Sequence, residues 1–180
     1  CSVFYPYGGV SRVQELQMVT TGGNNTHVIG VKGNFDDAQT GVKKLFGSDE
    51  FHQKMNDQGK LPSSANSINF GRLAPQIVYY FTTYTDLVSR NKIRMGQEIN
   101  FVVPTGNFGD ILAGYYAKRM GLPIRRLICA SNRNNVLTDF FETGTYYTHR
   151  TFFKTMSPSM DILISSNLER LLFEYADRDP

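Results

Sequence analysis

The stretch VVPTGNFGDILAGYYAKRMGLP, residues 102–123, reads as a buried strand, a turn bounded by glycines and a helix that begins abruptly. The strand extends back to residue 99 and is nearly continuous in apolar residues, which is typical of a parallel sheet covered on both faces. Many α/β proteins place glycine at such a corner and bind nothing there. The stretch therefore predicts a strand-to-helix corner and leaves open whether the corner holds a ligand.

Strand-like and helix-like segments alternate along the rest of the chain. The other predicted strands are residues 2–5, 26–31, 127–130 and 161–164. Predicted helices begin near Ser11, Asn34 and Ser48, and a long one places Leu73, Ile77, Tyr80, Tyr84 and Leu87 on one face. This alternation predicts an α/β fold, a three-layer arrangement of a parallel sheet with crossover helices.

Several helix starts carry recognisable capping signals. Ser11 with Gln14 and Ser166 with Glu169 have the spacing of a capping box, and Asn34 can cap a helix with acidic residues in its first turn. The asparagines of SNRNN, residues 131–135, can likewise cap a helix over 136–141. These signals fix the expected helix starts.

Composition limits the classes of function. The 180 residues are 41% hydrophobic, enough for one domain or two small lobes, and the net charge of +3 gives no electrostatic footprint for nucleic acid. No apolar run approaches the length of a membrane span. Two distant cysteines fit a reducing cytoplasm, and three isolated histidines give no metal-ligand spacing. Because the chain starts at Cys1 inside a strand-like segment, we expect it to be an internal fragment of a longer protein, with an incomplete fold.

The corner PTGNFGD has the chemistry of an anion site. Gly106 and Gly109 let the backbone close around a phosphate, Asn107 can add a donor, and the helix start supplies free N–H groups. On its own, Asp110 fits a helix start better than an anion site. The pattern lacks both the Lys-Ser/Thr pair of nucleoside triphosphate sites and the third glycine of dinucleotide sites. It suits a cofactor with one phosphate arm, such as pyridoxal phosphate, although a purely structural turn stays equally open.

A second polar group lies in SSANSINFGR, residues 63–72. Hydroxyl and amide side chains crowd this segment, and Arg72 follows one helical turn later. Together they can bind a phosphate or carboxylate through charge-assisted hydrogen bonds. The alternative is a polar loop that caps the long helix, which for any single residue is at least as good an explanation.

Long blocks of the chain resemble one enzyme family. The blocks YPYGGVSRVQELQMVTT, VKGNFDDAQTGVKKLF, SSANSIN followed by Arg72, VPTGNFGDILAGYYAKRMGLP, ASNRNNVLTDFFETGTY and SPSMDILISSNLERLLFE are similar, in order, to threonine synthase. This family comprises pyridoxal-phosphate-dependent lyases of fold type II, and the likeness is to its longer form from many bacteria and fungi. The resemblance covers nearly the whole chain.

The resemblance implies an activity and a site. The family converts O-phospho-L-homoserine and water to threonine and phosphate, with pyridoxal phosphate as cofactor. In the family, the matching strand-to-helix loop cradles the cofactor phosphate through its backbone; here that loop is Gly106, Asn107, Phe108, Gly109 and Asp110. The segment expected to face the small phosphorylated amino-acid substrate is represented by Asn66, Ser67, Asn69 and Arg72. Residues 1–62 would be part of a smaller lobe and residues 63–180 part of the large cofactor-binding lobe.

Two expected family elements do not occur in the sequence. The family attaches its cofactor to a lysine in a Phe-Lys-Asp context and grips the substrate carboxylate with a Ser-Gly-Asp-Thr-Gly loop, and neither pattern is present. No catalytic residue is therefore assigned. We expect N- and C-terminal parts of the same polypeptide to complete the site, and we expect no turnover by residues 1–180 alone.

Two alternatives remain open. A phospholyase similar to threonine synthase would use the same cradle on a related phosphorylated amine or amino acid. Asn135, which stands where the family block favours an acidic residue, is the visible departure. The second alternative is an inactive regulatory domain that keeps the fold and lacks the lysine.

Overall fold

The computed structural model describes residues 1–66 and 69–179, which divide into two compact units. The first unit is Cys1–Ser63 and the second is Ser64–Pro180. Each unit contains one pair of parallel strands and several helices. The predicted Ser67 lies outside the described residues.

The first unit is built around two short parallel strands. Its elements are β1 (Ser2–Pro6), α1 (Arg12–Thr20), β2 (His27–Val31), α2 (Phe35–Phe46) and α3 (Asp49–Asp57). The strands β1 and β2 pair in parallel, with Ser2 opposite His27 and Pro6 opposite Val31. Helix α1 connects them, as a parallel pair requires a crossover.

The predicted starts of α1 and α2 are confirmed. The Ser11 hydroxyl accepts from the Gln14 N–H, and the Gln14 side chain accepts from the Ser11 N–H at 3.2 Å. The Asn34 side chain accepts from the Asp37 N–H at 2.9 Å. These caps satisfy N–H groups that have no partner within the helix, so residues three positions apart suffice to define both starts.

The second unit contains the corner described above. Its elements are α4 (Phe70–Ser89), β3 (Ile99–Pro104), α5 (Gly109–Arg119), β4 (Ile124–Ala130), α6 (Val136–Thr143), a 3₁₀ turn (Pro158–Met160) and α7 (Leu168–Tyr175). The strands β3 and β4 pair in parallel, with Val103 opposite Cys129. Parallel strands joined by helices confirm the predicted α/β class. The described strands form two separate two-stranded sheets, which is an incomplete version of the expected layered sheet.

The core of the second unit lies between α4, α5 and the sheet. Leu73 and Tyr80 of α4 meet Leu112 and Ala113 of α5, and all four side chains are buried. The close approach depends on Gly114, because a Cβ atom there would stand 2.7 Å from two ring atoms of Tyr80. The small residues of α5 therefore allow the tight packing that the sequence predicts.

The predicted strand over residues 161–164 is wrong. The Ile162 N–H donates to the Met160 carbonyl at 2.9 Å, and the Asp161 carboxylate accepts from the Asn132 side chain and the Thr155 N–H. Backbone groups engaged in a local turn are not available to a neighbouring strand. The apolar run DILI indicates burial at this point and not a strand.

The predicted side-chain caps of α6 and α7 are also wrong. Asn135 occupies the N-cap position of α6, but its amide donates to the Asp139 carboxylate at 2.9 Å. The N-cap residue of α7 is Asn167 and not the predicted Ser166, and the Asn167 side chain makes no cap bond. Both asparagines use their amides elsewhere.

Candidate functional site

A cleft of about 540 Å³ lies at the carboxyl end of β3, inside the second unit. Its lining residues come from α4, from the β3–α5 corner and from the 3₁₀ turn: Arg72, Leu73, Gln76, Pro104, Thr105, Gly106, Asn107, Phe108, Gly109, Asp110, Ile111 and Ser159. The structure thus brings the whole predicted loop Gly106–Asp110 and Arg72 to one cleft. The carboxyl end of a parallel strand is where α/β proteins place their ligands.

The corner is held close to the protein at its first residues. Thr105 is buried, its N–H donates to the Ala130 carbonyl at 2.8 Å, and its hydroxyl donates to the Val103 carbonyl at 2.7 Å. A Cβ atom at Gly106 would stand 2.9 Å from the carbonyl oxygen of Ser159. Only glycine fits there without displacing the 3₁₀ turn.

The start of α5 leaves backbone donors at the cleft. Phe108 is the N-cap residue, with a left-handed backbone (φ 64°, ψ 5°), and no side chain caps the helix. Among the hydrogen bonds of the described residues, none satisfies the N–H groups of Asn107, Phe108 or Gly109. Free N–H groups and the helix dipole favour an anion at this position.

The Asn107 side chain indicates that the cleft fits a polar ligand. Its amide oxygen is buried and has no hydrogen-bond partner among the described residues. A buried acceptor without a partner costs about 1–3 kcal/mol, a cost that a bound donor would remove. Together with the uncapped helix start, this atom leaves the loop Gly106–Asp110 with polar groups that have no partner among the described residues.

Asp110 adds a carboxyl group to the first turn of α5. Loss of hydration raises its pKa above the usual value, and a hydrogen bond from Tyr80 lowers it in part. The Tyr80 hydroxyl also donates to the main-chain oxygen of Asp110 at 2.8 Å, and burial raises the pKa of Tyr80. This carboxyl group therefore lies at the same helix start as the free N–H groups.

The second predicted group is divided by the structure. Arg72 lies in the first turn of α4 and lines the cleft, and none of the ion pairs of the described residues involves it. Asn69 instead caps α4, since its side-chain oxygen accepts from the Gly71 N–H at 2.9 Å. Asn66 is exposed and bonds with Ser64. Neither asparagine lines the cleft, and the cap at Asn69 agrees with the alternative interpretation of that segment.

Outside the corner at residues 104–111, three residues of the cleft were not predicted from the sequence. Leu73 and Gln76 follow Arg72 on α4, and the helical spacing of Arg72 and Gln76 is a signal that places both on one face. Ser159 carries no such signal, because it reaches the corner from a segment about fifty residues later in the chain. Only the tertiary structure reveals it.

A buried polar cluster supports the segment that carries Ser159. The Asp161 carboxylate, 5% exposed, accepts hydrogen bonds from Asn132 at 2.8 Å and from Asn134 at 3.0 Å. It also accepts from the Thr155 N–H at 2.8 Å and hydroxyl at 2.7 Å. These bonds join the loop after β4 to the segment before the 3₁₀ turn, and so they fix one wall of the cleft.

The described residues contain neither a metal-ligand group nor a membrane-spanning helix. In residues 1–66 and 69–179, no group of three or more His, Cys, Asp or Glu side chains is arranged to hold a metal ion. Across the same residues, no helix combines the length and the apolar character that a bilayer crossing demands.

The similarity to known proteins extends over nearly the whole chain. No protein-family model matches it. Human threonine synthase-like 1 is 49% identical over 178 residues, which are 98% of this chain and 24% of the human protein. Threonine synthase from Saccharomyces cerevisiae is 44% identical over 174 residues, 97% of this chain and 32% of the yeast enzyme.

A solved structure agrees with the sequence matches. Pyridoxal-phosphate-bound threonine synthase from Brucella melitensis superposes with a TM-score of 0.76 and 48% identity, covering 99% of this chain and 36% of that protein. The chain thus spans about a quarter to a third of the length of the curated relatives it matches. With 44% to 49% identity to these relatives over nearly all of its length, the chain is a homologue of threonine synthase and of threonine synthase-like 1.

Proposed function

We propose that this chain supplies the phosphate cradle and part of the substrate wall of a pyridoxal-phosphate-dependent threonine synthase. The observation that carries the proposal is that one cleft combines an uncapped helix start, Gly106–Asp110, with Arg72. The reaction of that enzyme involves two phosphate groups, one on the cofactor and one on O-phospho-L-homoserine. The helix start would bind the first phosphate, and Arg72 would bind the second.

Backbone donors would hold the cofactor phosphate. The N–H groups of Asn107, Phe108 and Gly109 lie at the positive end of the α5 dipole, in residues that line the cleft, and Gly106 adds no side chain there. When bound, pyridoxal phosphate supplies an electron sink for proton removal from carbon next to the substrate amino group.

Arg72 would bind the substrate phosphate. Its guanidinium presents several donors in a planar fork that matches phosphate oxygens, and it stays charged at any physiological pH. The partial neutralisation of a phosphate that is leaving as an anion favours its departure. Arg72 therefore binds and orients the leaving group, while other parts of the polypeptide supply the lysine that attaches the cofactor.

The remaining parts of the proposal concern context. We infer that residues 1–62 contribute to a smaller lobe and residues 63–180 to the cofactor-binding lobe, with further segments of the same polypeptide completing the site. Cys1 and Cys129 are both free thiols, which favours a reducing compartment such as the cytoplasm.

A binding experiment tests the proposal. Pyridoxal phosphate is titrated into the full-length protein by absorbance and calorimetry, for the unmodified protein and for Gly106→Ala. The added Cβ would meet the Ser159 carbonyl at 2.9 Å, so saturable binding should weaken by at least about tenfold. Gly41→Ala is the control, because a Cβ at Gly41 meets nothing within 4 Å. Absence of saturable binding to the unmodified protein would overturn the assignment.

A phospholyase on a related phosphorylated amine or amino acid is the second candidate. The feature that favours it is Asn135, which stands where the resemblance leads us to expect an acidic residue. The two candidates share the cradle and differ in the product. Analysis of the carbon product from O-phospho-L-homoserine separates them, since only a threonine synthase forms threonine from it.

A further inference from the structure

The segment before α7 donates hydrogen bonds to two consecutive carbonyl groups of the phosphate cradle, residues 106–110. The Ser165 hydroxyl donates to the Gly106 carbonyl, 59 residues away in sequence. Asn167 donates twice to the Asn107 carbonyl, from its N–H at 3.1 Å and from its side-chain amide at 3.0 Å. Ser165 is 5% exposed and Asn167 is fully buried.

These bonds set the direction of the cradle's donors. In a trans peptide the carbonyl of one residue and the N–H of the next point in opposite directions. The described residues contain no cis peptide bond. When Ser165 holds the Gly106 carbonyl, it turns the Asn107 N–H away from itself, and when Asn167 holds the Asn107 carbonyl, it does the same for the Phe108 N–H. Both N–H groups belong to residues that line the cleft.

Asn167 makes this contact at the expense of its own helix. It is the N-cap residue of α7, where an asparagine amide ordinarily accepts from the first helical N–H groups. No such bond forms, and the Asn167 side-chain oxygen is buried without a partner. A buried acceptor without a partner is costly, so the donation to Asn107 takes precedence over local helix stability.

Ser165 is itself held in place. Its N–H donates to the Tyr146 hydroxyl at 2.7 Å, which fixes the backbone from which the Ser165 hydroxyl reaches Gly106. This hydrogen bond holds the Ser165 backbone in place. A rigid support keeps hydrogen-bond donors aligned before a ligand arrives.

We propose that Ser165 and Asn167 are positioning residues that orient the Asn107 and Phe108 N–H groups toward a bound phosphate. This inference rests on the proposed function, because it concerns the same cradle. It predicts that the two side chains affect recognition of the phosphate group and leave the rest of the ligand's interactions unchanged.

The test compares two probes that differ only in phosphate. Pyridoxal phosphate and pyridoxal are titrated into the full-length protein, and the ratio of their affinities measures the contribution of the phosphate group. Ser165→Ala should weaken pyridoxal phosphate binding by about two- to tenfold and leave pyridoxal binding unchanged. Ser165→Thr, which keeps the hydroxyl, should restore the ratio, and Asn167→Ala should lower it further.

Tyr84→Phe is the matched control. It removes a buried hydroxyl that bonds Gly96 at 2.9 Å and Gln97 at 3.2 Å, on residues that do not line the cleft. It should lower stability without changing the affinity ratio. If Asn167→Ala fails to fold, Ser165→Ala decides the matter alone, because it removes one oxygen atom.

The outcomes separate the inference from the proposed function. An unmodified protein that binds pyridoxal phosphate no better than pyridoxal would overturn both. A protein that prefers pyridoxal phosphate, and keeps the same preference in Ser165→Ala, would retain the function and reject the positioning role. Equal weakening of both probes in Ser165→Ala would also reject it, since this result indicates a general structural effect.

Discussion

Tyr80 of α4 lies so close to Gly114 of α5 that two of its ring atoms are 2.7 Å from the position that a Cβ atom on residue 114 would occupy. Gly114→Ala should therefore force the helices apart and lower the free energy of unfolding by about 1–3 kcal/mol. Gly41→Ala, in the exposed middle of α2, should instead raise it by about 0.5–1 kcal/mol, because nothing lies within 4 Å of the added atom. Urea denaturation of both variants measures the difference, and effects of equal sign would contradict it.

Local signals and distant contacts explain which parts of the fold could be predicted. The caps at Ser11 and Asn34 depend on residues three positions apart, so the sequence alone predicts them correctly. The failure at residues 161–164 arises because hydrogen-bond partners of Asp161 come from loops elsewhere in the chain. Apolar composition reports burial, and it does not report where the backbone donors go.

The candidate site shows the same division. Glycine spacing and a helix start predict an anion site at Gly106–Asp110, but only the resemblance and the fold place Arg72 beside it. The grip of Ser165 and Asn167 on the cradle could not be predicted, because it joins residues 59 and 60 positions apart. Ser166 with Glu169 has the spacing of a capping box, but the N-cap residue of α7 is Asn167.

The pH dependence of stability should carry a contribution from Asp110. Its pKa in the folded protein is raised by loss of hydration, so between the usual value of about 3.9 and the folded value the folded state binds more protons. Stability should therefore fall as the pH rises through this window, and Asp110→Asn should reduce the fall. Asp49→Asn, in the first turn of α3, controls for the loss of negative charge at a helix start.

Tyr80→Phe provides an independent check on the same carboxyl group. The hydrogen bond from Tyr80 lowers the pKa of Asp110, so its removal should raise that pKa further. A titration of the Asp110 carboxyl carbon followed by NMR measures the change. A lower pKa in the variant would be inconsistent with the assigned cause.

Asp161 should be far more sensitive to substitution than an exposed carboxylate. Asp161→Ala removes the acceptor of hydrogen bonds from Asn132, Asn134 and Thr155, and it should lower the free energy of unfolding by about 3 kcal/mol or more. Asp86→Ala, which removes the exposed ion pair with Arg90, should cost less than about 1 kcal/mol. Thermal denaturation of the two variants should rank them clearly, and a similar cost for both would refute the role of the buried cluster.

At position 108, we expect a glycine variant to be more stable than an alanine variant, which reverses their usual order of stability. Its left-handed backbone, at φ 64°, suits glycine, whereas an alanine there bears a cost of about 1–2 kcal/mol. Both Phe108→Gly and Phe108→Ala lose the buried ring and its contact with Phe141. Phe108→Gly should nevertheless be the more stable of the two by about 1 kcal/mol. Chemical denaturation tests this order, and a more stable alanine variant would show that the backbone relaxes.

The long sequence separation of the cradle's supports has a consequence for folding kinetics. Contacts that close loops of 59 and 60 residues carry a larger entropy cost than contacts within a helix, so we expect them to form later. In pulsed hydrogen exchange, the Asn167 amide, which donates to Asn107, should become protected after the Leu112 amide, which donates to Phe108 within α5. Simultaneous protection would indicate a single cooperative step. With the expected order, the helix start forms early as a flexible anion site and becomes a selective one only when the segment before α7 docks.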